Sequence, residues 1–177
     1  KPYNFSIQPF LKDQNSIQQG YITSEPYSIK VHAGFTPVVN LLADNGYMSY
    51  ATTIETSNDK INNNPELVQR FIDASIEGWY SYIYGNPEPA NILIKKDNSE
   101  MTDDLLNYAR SEMKKKGIVF SGDAEEFGIG TMNEQRWESF YKMMRDQGLY
   151  PENLNYLEAF TLKFVNKPKW KNFENNY

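Results

Sequence analysis

Cysteine is absent from the 177 residues, which removes disulfides, thiolate metal sites and cysteine nucleophiles together. Histidine occurs once, at His32, so a multi-histidine metal site is excluded as well. No apolar run approaches the ~20 residues of a membrane span. Positive charge is in deficit. Eighteen basic against 23 acidic side chains leave a net charge of −5, which repels a phosphate backbone, so nucleic acid is not expected as a partner. No basic stretch followed by an apolar one opens the chain at Lys1, so no targeting signal is visible there.

What is present is a foldable chain. Hydrophobic residues make up 40% and aromatic ones 15%, enough for a core of ordinary domain size. Asparagine reaches 19 residues, and runs such as Asn62-Asn63-Asn64 read as solvated surface.

Strand signals come early. Phe5, Ile7 and Pro9 suggest a short extended segment, and Asp13-Gln14-Asn15-Ser16 a turn or helix cap. β-Branched and aromatic residues predict strands over 19–24, 38–43 and 50–55, with Pro26 ending the first. Ser28 to Val31 opens a short helix, and Asp44-Asn45-Gly46 is a turn whose residues tolerate positive φ. Helical periodicity follows. Pro65 suits a first helical turn, after which Val68, Phe71, Ile72, Ser75, Ile76, Trp79 and Ile83 fall on one face. A short helix is predicted over 88–96. Thr102 caps another that closes with Lys114-Lys115-Lys116 and Gly117. Asn133 caps a fourth, with Trp137, Phe140, Tyr141 and Met144 inward and Gly148 at its end. Residues 157–165 form a last helical turn or strand, and the tail after Lys167 is expected to be loose. Strands first and helices later make an α/β chain. A change of character near 34–38 suggests a crossing between lobes.

No catalytic set emerges. His32 has no partnered serine in a strained elbow, so it reads as exposed or structurally bonded. Gly128-Ile129-Gly130 lacks the third glycine of a dinucleotide fingerprint, and Asp123-Ala124-Glu125-Glu126 lacks calcium-loop spacing. Two segments carry recognition chemistry instead. Thr23, Ser24, Glu25 and Tyr27 gather hydrogen-bonding groups at a strand-to-helix corner, where α/β sheets bind ligands. Asp44, Tyr47 and Tyr50 lie between two expected strands, and their tyrosines offer flat area with a polar tip.

The residues around these segments resemble one family. Gln19-Gly-Tyr-Ile-Thr-Ser-Glu-Pro-Tyr27, Leu41-Leu-Ala-Asp-Asn-Gly-Tyr47 and Thr52-Thr-Ile-Glu-Thr56 are followed by Asn64-Pro-Glu-Leu-Val-Gln-Arg-Phe71 and Glu77-Gly-Trp79. Asn86-Pro-Glu-Pro-Ala90, Ile92-Leu-Ile-Lys-Lys96, Arg136-Trp137, Gln147-Gly-Leu149 and Ala159-Phe-Thr161 continue the order over about residues 19–166. This series resembles the NMT1/THI5-like (SsuA-type) substrate-binding proteins of ABC transporters. The resemblance implies a type II periplasmic-binding-protein-like fold, of which this chain is expected to be the C-terminal half. Residues 1–35 would end the second lobe, 36–166 would belong to the first lobe and 167–177 would be a tail.

The resemblance also implies an interlobe cleft with Thr23, Ser24 and Glu25 at its wall. Ser24 stands where the family has Trp, so Tyr21, Tyr27, Tyr47 or Tyr50 would supply the aromatic platform. The implied work is capture of a small-molecule ligand for an ABC permease outside the cytoplasm (periplasmic or lipoprotein-anchored), without cofactor or metal. Glu25 would repel an anion and accept hydrogen bonds from a heteroaromatic such as a thiamine-precursor pyrimidine. The alternatives are a sulfonate- or nitrate-type ligand and, further off, a pyrimidine-synthesis enzyme. The fungal synthases carry a Cys-rich motif that this chain lacks, so a non-enzyme is expected. A chain lacking half a lobe would expose apolar surface and is expected to dimerise or swap elements to cover it.

Overall fold

The helices form where local signals are strongest. The computed structural model describes residues 6–13 and 15–177. Its regular elements are α1 (Gln8–Lys12), α2 (Glu25–Ala33), α3 (Asn58–Asn63), α4 (Pro65–Tyr84), α5 (Glu88–Asp97), α6 (Asp103–Lys115), α7 (Asp123–Phe127) and α8 (Glu134–Asp146). Single 3-10 turns lie at Ala43–Asn45, Tyr156–Ala159, Pro168–Trp170 and Phe173–Asn176. Capping side chains satisfy otherwise orphaned amides. Thr102 accepts from Leu105 N, Asn133 from Arg136 N and Ser57 from Lys60 N. Asp103, Asp104, Lys114 and Lys115 complement the dipole of α6.

The chain divides into two units, residues 1–41 with 86–118, and residues 42–85 with 119–177. In the first, α2 packs on α6 and buries Ile29, Leu106 and Ala109. Tyr108 fastens the pair: its ring lies 5.2 Å from that of Tyr27 and its hydroxyl donates to Ile22 O at 3.1 Å. Burial raises the Tyr108 pKa above its ordinary value.

The second unit is built around Ile76, Tyr80, Ile129 and Trp170. Tyr80 is fully buried, and its hydroxyl bridges distant chain: it donates to Trp170 O at 3.2 Å and accepts from Ile129 N at 3.0 Å. Burial raises its pKa, against the lowering effect of the Ile129 amide, with the nearby Glu174 adding to the rise. Asn166 pins a second crossing. It holds positive φ while its side chain accepts from Thr131 Oγ1 and Met132 N and donates to Met132 O.

Four expectations are corrected. No strand forms among the described residues, so 19–24, 38–43 and 50–55 bring no sheet to the α/β reading. They run as turns and irregular chain, with Val38, Leu42 and Ile54 largely exposed. A β-branched run gains strand energy only from a neighbouring ladder, and none lies beside these. The extended segment at Phe5, Ile7 and Pro9 is instead the start of α1 at its described positions; Phe5, like Gln14 of the expected turn, lies outside the described residues.

The buried face of α4 is rotated from the expected one. Val68, Ile76, Tyr80 and Ile83 are inside, while Phe71 and Trp79 are exposed. The helix carries two adjoining apolar stripes, and the one that buries contains the tyrosine whose hydroxyl finds two partners. Finally, the tail is not loose. Phe164, Val165 and Trp170 are buried, and the Phe173–Asn176 turn packs on α4.

Candidate functional site

The corner at residues 20–32 is shaped by one carboxylate. The amides of Ser24 and Glu25 both reach Tyr21 O, closing a turn that leads into α2. Glu25 and Pro26 occupy the first helical turn, where an acid suits the dipole and a missing N–H costs nothing. α2 thus begins three residues before the expected opening at Ser28.

Glu25 is 9% exposed and folds back so that its Oε2 accepts from Tyr21 N at 2.6 Å. The charge-assisted bond offsets part of the cost of burying the carboxylate. Gly20 permits the approach. A Cβ there would meet Glu25 Cγ at 2.9 Å and Cδ at 3.1 Å. Gly20→Ala is therefore expected to displace Glu25 and to cost about 1–3 kcal/mol of stability, read by urea unfolding. An unchanged midpoint would mean that the Glu25 seat is not tight.

Ser24, Ser28 and His32 are spaced four apart, so they share one face of α2. With Glu25, Ser6, Ile7 and Gln8 they line a groove of about 340 Å³, at the lower end of the ~300–1,000 Å³ of small-molecule sites. The lining offers hydroxyls, an amide, an imidazole and a carboxylate, a set suited to reading the polar edge of a small ligand. Thr23 is half-buried just before it. Tyr27 turns to Tyr108, and Tyr21 is largely exposed; neither lines the groove.

Asp44, Tyr47 and Tyr50 belong to the other unit. Asp44 sits exposed in the Ala43–Asn45 turn, and Gly46 follows at φ 91°, the left-handed region that the Asn-Gly pair predicts. Tyr47 is 39% exposed, edge-on to Phe140 at 5.5 Å. Tyr50 is occupied on both counts. Its hydroxyl accepts from Asn133 N at 2.9 Å, and the Arg136 guanidinium lies 4.3 Å from its ring centre. Arg136 also donates to Met48 O and Ser49 O at 3.1 and 2.9 Å, fixing this stretch to the start of α8.

Sequence reasoning placed Asn133 as a cap and Arg136 as a motif residue but missed that they hold Tyr50. Tyrosine followed ~85 residues later by an arginine carries no local signal. Among the described residues no group of three or more His, Asp or Glu side chains is placed to hold a metal.

A family model described as NMT1/THI5 like matches residues 2–90, which include both the Thr23–Tyr27 corner and the Asp44–Tyr50 stretch. The riboflavin-binding protein RibY of Chloroflexus aurantiacus is 28% identical over 157 residues, 88% of this chain and 44% of that protein. The chain thus spans less than half the length of this curated relative. No solved structure matches it. With half of its residues under the family model, the chain belongs to the NMT1/THI5-like family.

Proposed function

We propose that this chain is part of a solute-binding protein that captures a flat nitrogen heteroaromatic and presents it to an ABC permease outside the cytoplasm. The reading rests on family membership, and the family has a periplasmic-binding-protein-like fold. The observation that carries the ligand class is the Glu25 groove. A buried carboxylate lining the groove with Ser24, Ser28 and Gln8 would oppose an anion and would favour hydrogen-bond donors such as ring N–H and amino groups, beside the Tyr21 amide that it already accepts from. A relative named for riboflavin binding supports the same class, because the flavin ring ends in a pyrimidine-type edge with one N–H donor between two carbonyl acceptors.

Thr23, Ser24 and Glu25 would read the polar edge of the ligand. Within the other unit, Tyr47 keeps more of its ring exposed than Tyr50, whose face and hydroxyl are both engaged. Binding energy would be converted into closure rather than covalent chemistry. No helix among the described residues is long and apolar enough to cross a membrane.

The test is a thermal-shift screen against riboflavin, an aminopyrimidine, an alkyl sulfonate and nitrate. The heteroaromatics should raise the melting point, by an amount equivalent to ~2.7 kcal/mol at a hundredfold excess over Kd. Glu25→Gln should weaken that shift. Stabilisation by sulfonate or nitrate with none from either heteroaromatic would overturn the assignment.

A further inference from the structure

The second unit carries 15 acidic and 9 basic side chains. Four of those nine are Lys163, Lys167, Lys169 and Lys171, and residues 163–171 contain no acid. The rest of the unit therefore holds 15 acidic against 5 basic groups. Four of the nine basic side chains thus fall in one nine-residue strip, and the other five are spread over the rest of the unit.

The strip is held in place. Phe164, Val165 and Trp170 point inward, 3–9% exposed, and Asn166 anchors the bend between them through Thr131 and Met132. Gln69 Nε2 on α4 donates to Phe164 O at 3.0 Å. Lys163, Lys169 and Lys171 are exposed and Lys167 is half-buried. Lys169 pairs with Asp73 at 2.5 Å, and Lys167 Nζ donates to the Lys163 carbonyl. Among the described residues no carboxylate forms an ion pair with Lys163, Lys167 or Lys171. These three charges are therefore not neutralised by a carboxylate, although the Lys163 ammonium lies 5.4 Å from the Phe164 ring centre.

From this we infer that residues 163–171 form a docking strip for an anionic lipid surface. The choice of cation separates the possible partners. Arginine and aromatic anchors mark shaped protein interfaces, where lysine is depleted. The strip contains lysine alone: flexible point charges suited to headgroups that move to meet them, with no need of a fixed fork geometry. The acidic remainder of the unit, 15 acidic against 5 basic groups, is repelled by the same surface, which disfavours adsorption away from the strip. The inference is independent of the ligand reading and survives its failure.

The test is co-sedimentation of the protein with vesicles of phosphatidylcholine alone and with about 30% phosphatidylglycerol. Binding is expected only to the anionic vesicles. It should fall steeply between about 20 mM and 0.5 M salt, as the Debye length shrinks from roughly 20 to 4 Å. Each lysine near the surface is worth about a fivefold gain, so Lys163→Gln, Lys167→Gln and Lys171→Gln together should lower partitioning about a hundredfold. Circular dichroism checks that this variant is folded. The exposed run Lys114-Lys115-Lys116 serves as control, and its glutamine variant should bind as wild type.

Equal loss in the control variant would mean generic charge attraction and would overturn the strip. So would binding to neutral vesicles, or full binding by the triple variant. Capture by polyglutamate beads with none by anionic vesicles would assign the strip to an acidic protein and also overturn the proposal.

Discussion

Trp170→Ala is expected to remove about 3–5 kcal/mol from the stability of the second unit, followed by circular dichroism in urea. The indole is 4% exposed, stacked near Tyr80 at 6.4 Å and edge-on to Phe173 at 4.8 Å. Its loss would leave a void between α4 and the last turns of the chain. Trp170→Phe should be much milder. The indole Nε1 is buried without a hydrogen-bond partner, and phenylalanine keeps most of the apolar contact while removing that unsatisfied donor. An alanine variant that loses less than about 1 kcal/mol would show that residues 168–173 are not part of the core.

Gly128→Ala should be comparably damaging for a different reason. Gly128 adopts φ 89° and ψ 172°, a region almost closed to other residues, where strain costs about 1–3 kcal/mol. An added Cβ would also lie 2.6 Å from Trp170 Cβ, 2.8 Å from Trp170 O and 2.9 Å from Tyr80 Oη. Two of these are rigid backbone or near-backbone atoms, so the clash cannot be relieved by a rotamer change. Gly148 provides the comparison. It too has positive φ, 71°, but a Cβ there meets nothing within 4 Å. Gly148→Ala should therefore show strain alone, with a loss of about 1 kcal/mol. Similar unfolding midpoints for the two variants would refute the close packing at Gly128.

Local signals in the sequence were reliable where the energy is local. Thr102 and Asn133 cap the helices expected of them, Pro65 opens α4, and Asn45-Gly46 turns as its chemistry requires. Readings that depended on distant partners failed. The 38–43 run has strand composition, but composition cannot supply the neighbouring ladder. Tyr80 was passed over for Trp79 because nothing near it in the sequence announces Trp170 O and Ile129 N. The tail looked solvated because lysine and asparagine surround its aromatic anchors, Trp170 and Phe173.

At the candidate site, Ser24 and Glu25 were legible as a polar corner and do line a groove. The fold-back of Glu25 onto Tyr21 and the clamp of Arg136 on Tyr50 were not, since each depends on backbone geometry rather than residue type.

The bridge from Tyr80 to Trp170 also sets a schedule. The two residues are 90 apart in the chain. At ~5–20 residues per second, a ribosome needs roughly 5–18 seconds to elongate from one to the other. During that interval α4 has been made but the indole that closes over it has not. A nascent chain must therefore carry the inner stripe of α4 without its Trp170 cover, even after Phe120 and Ile129 have been made.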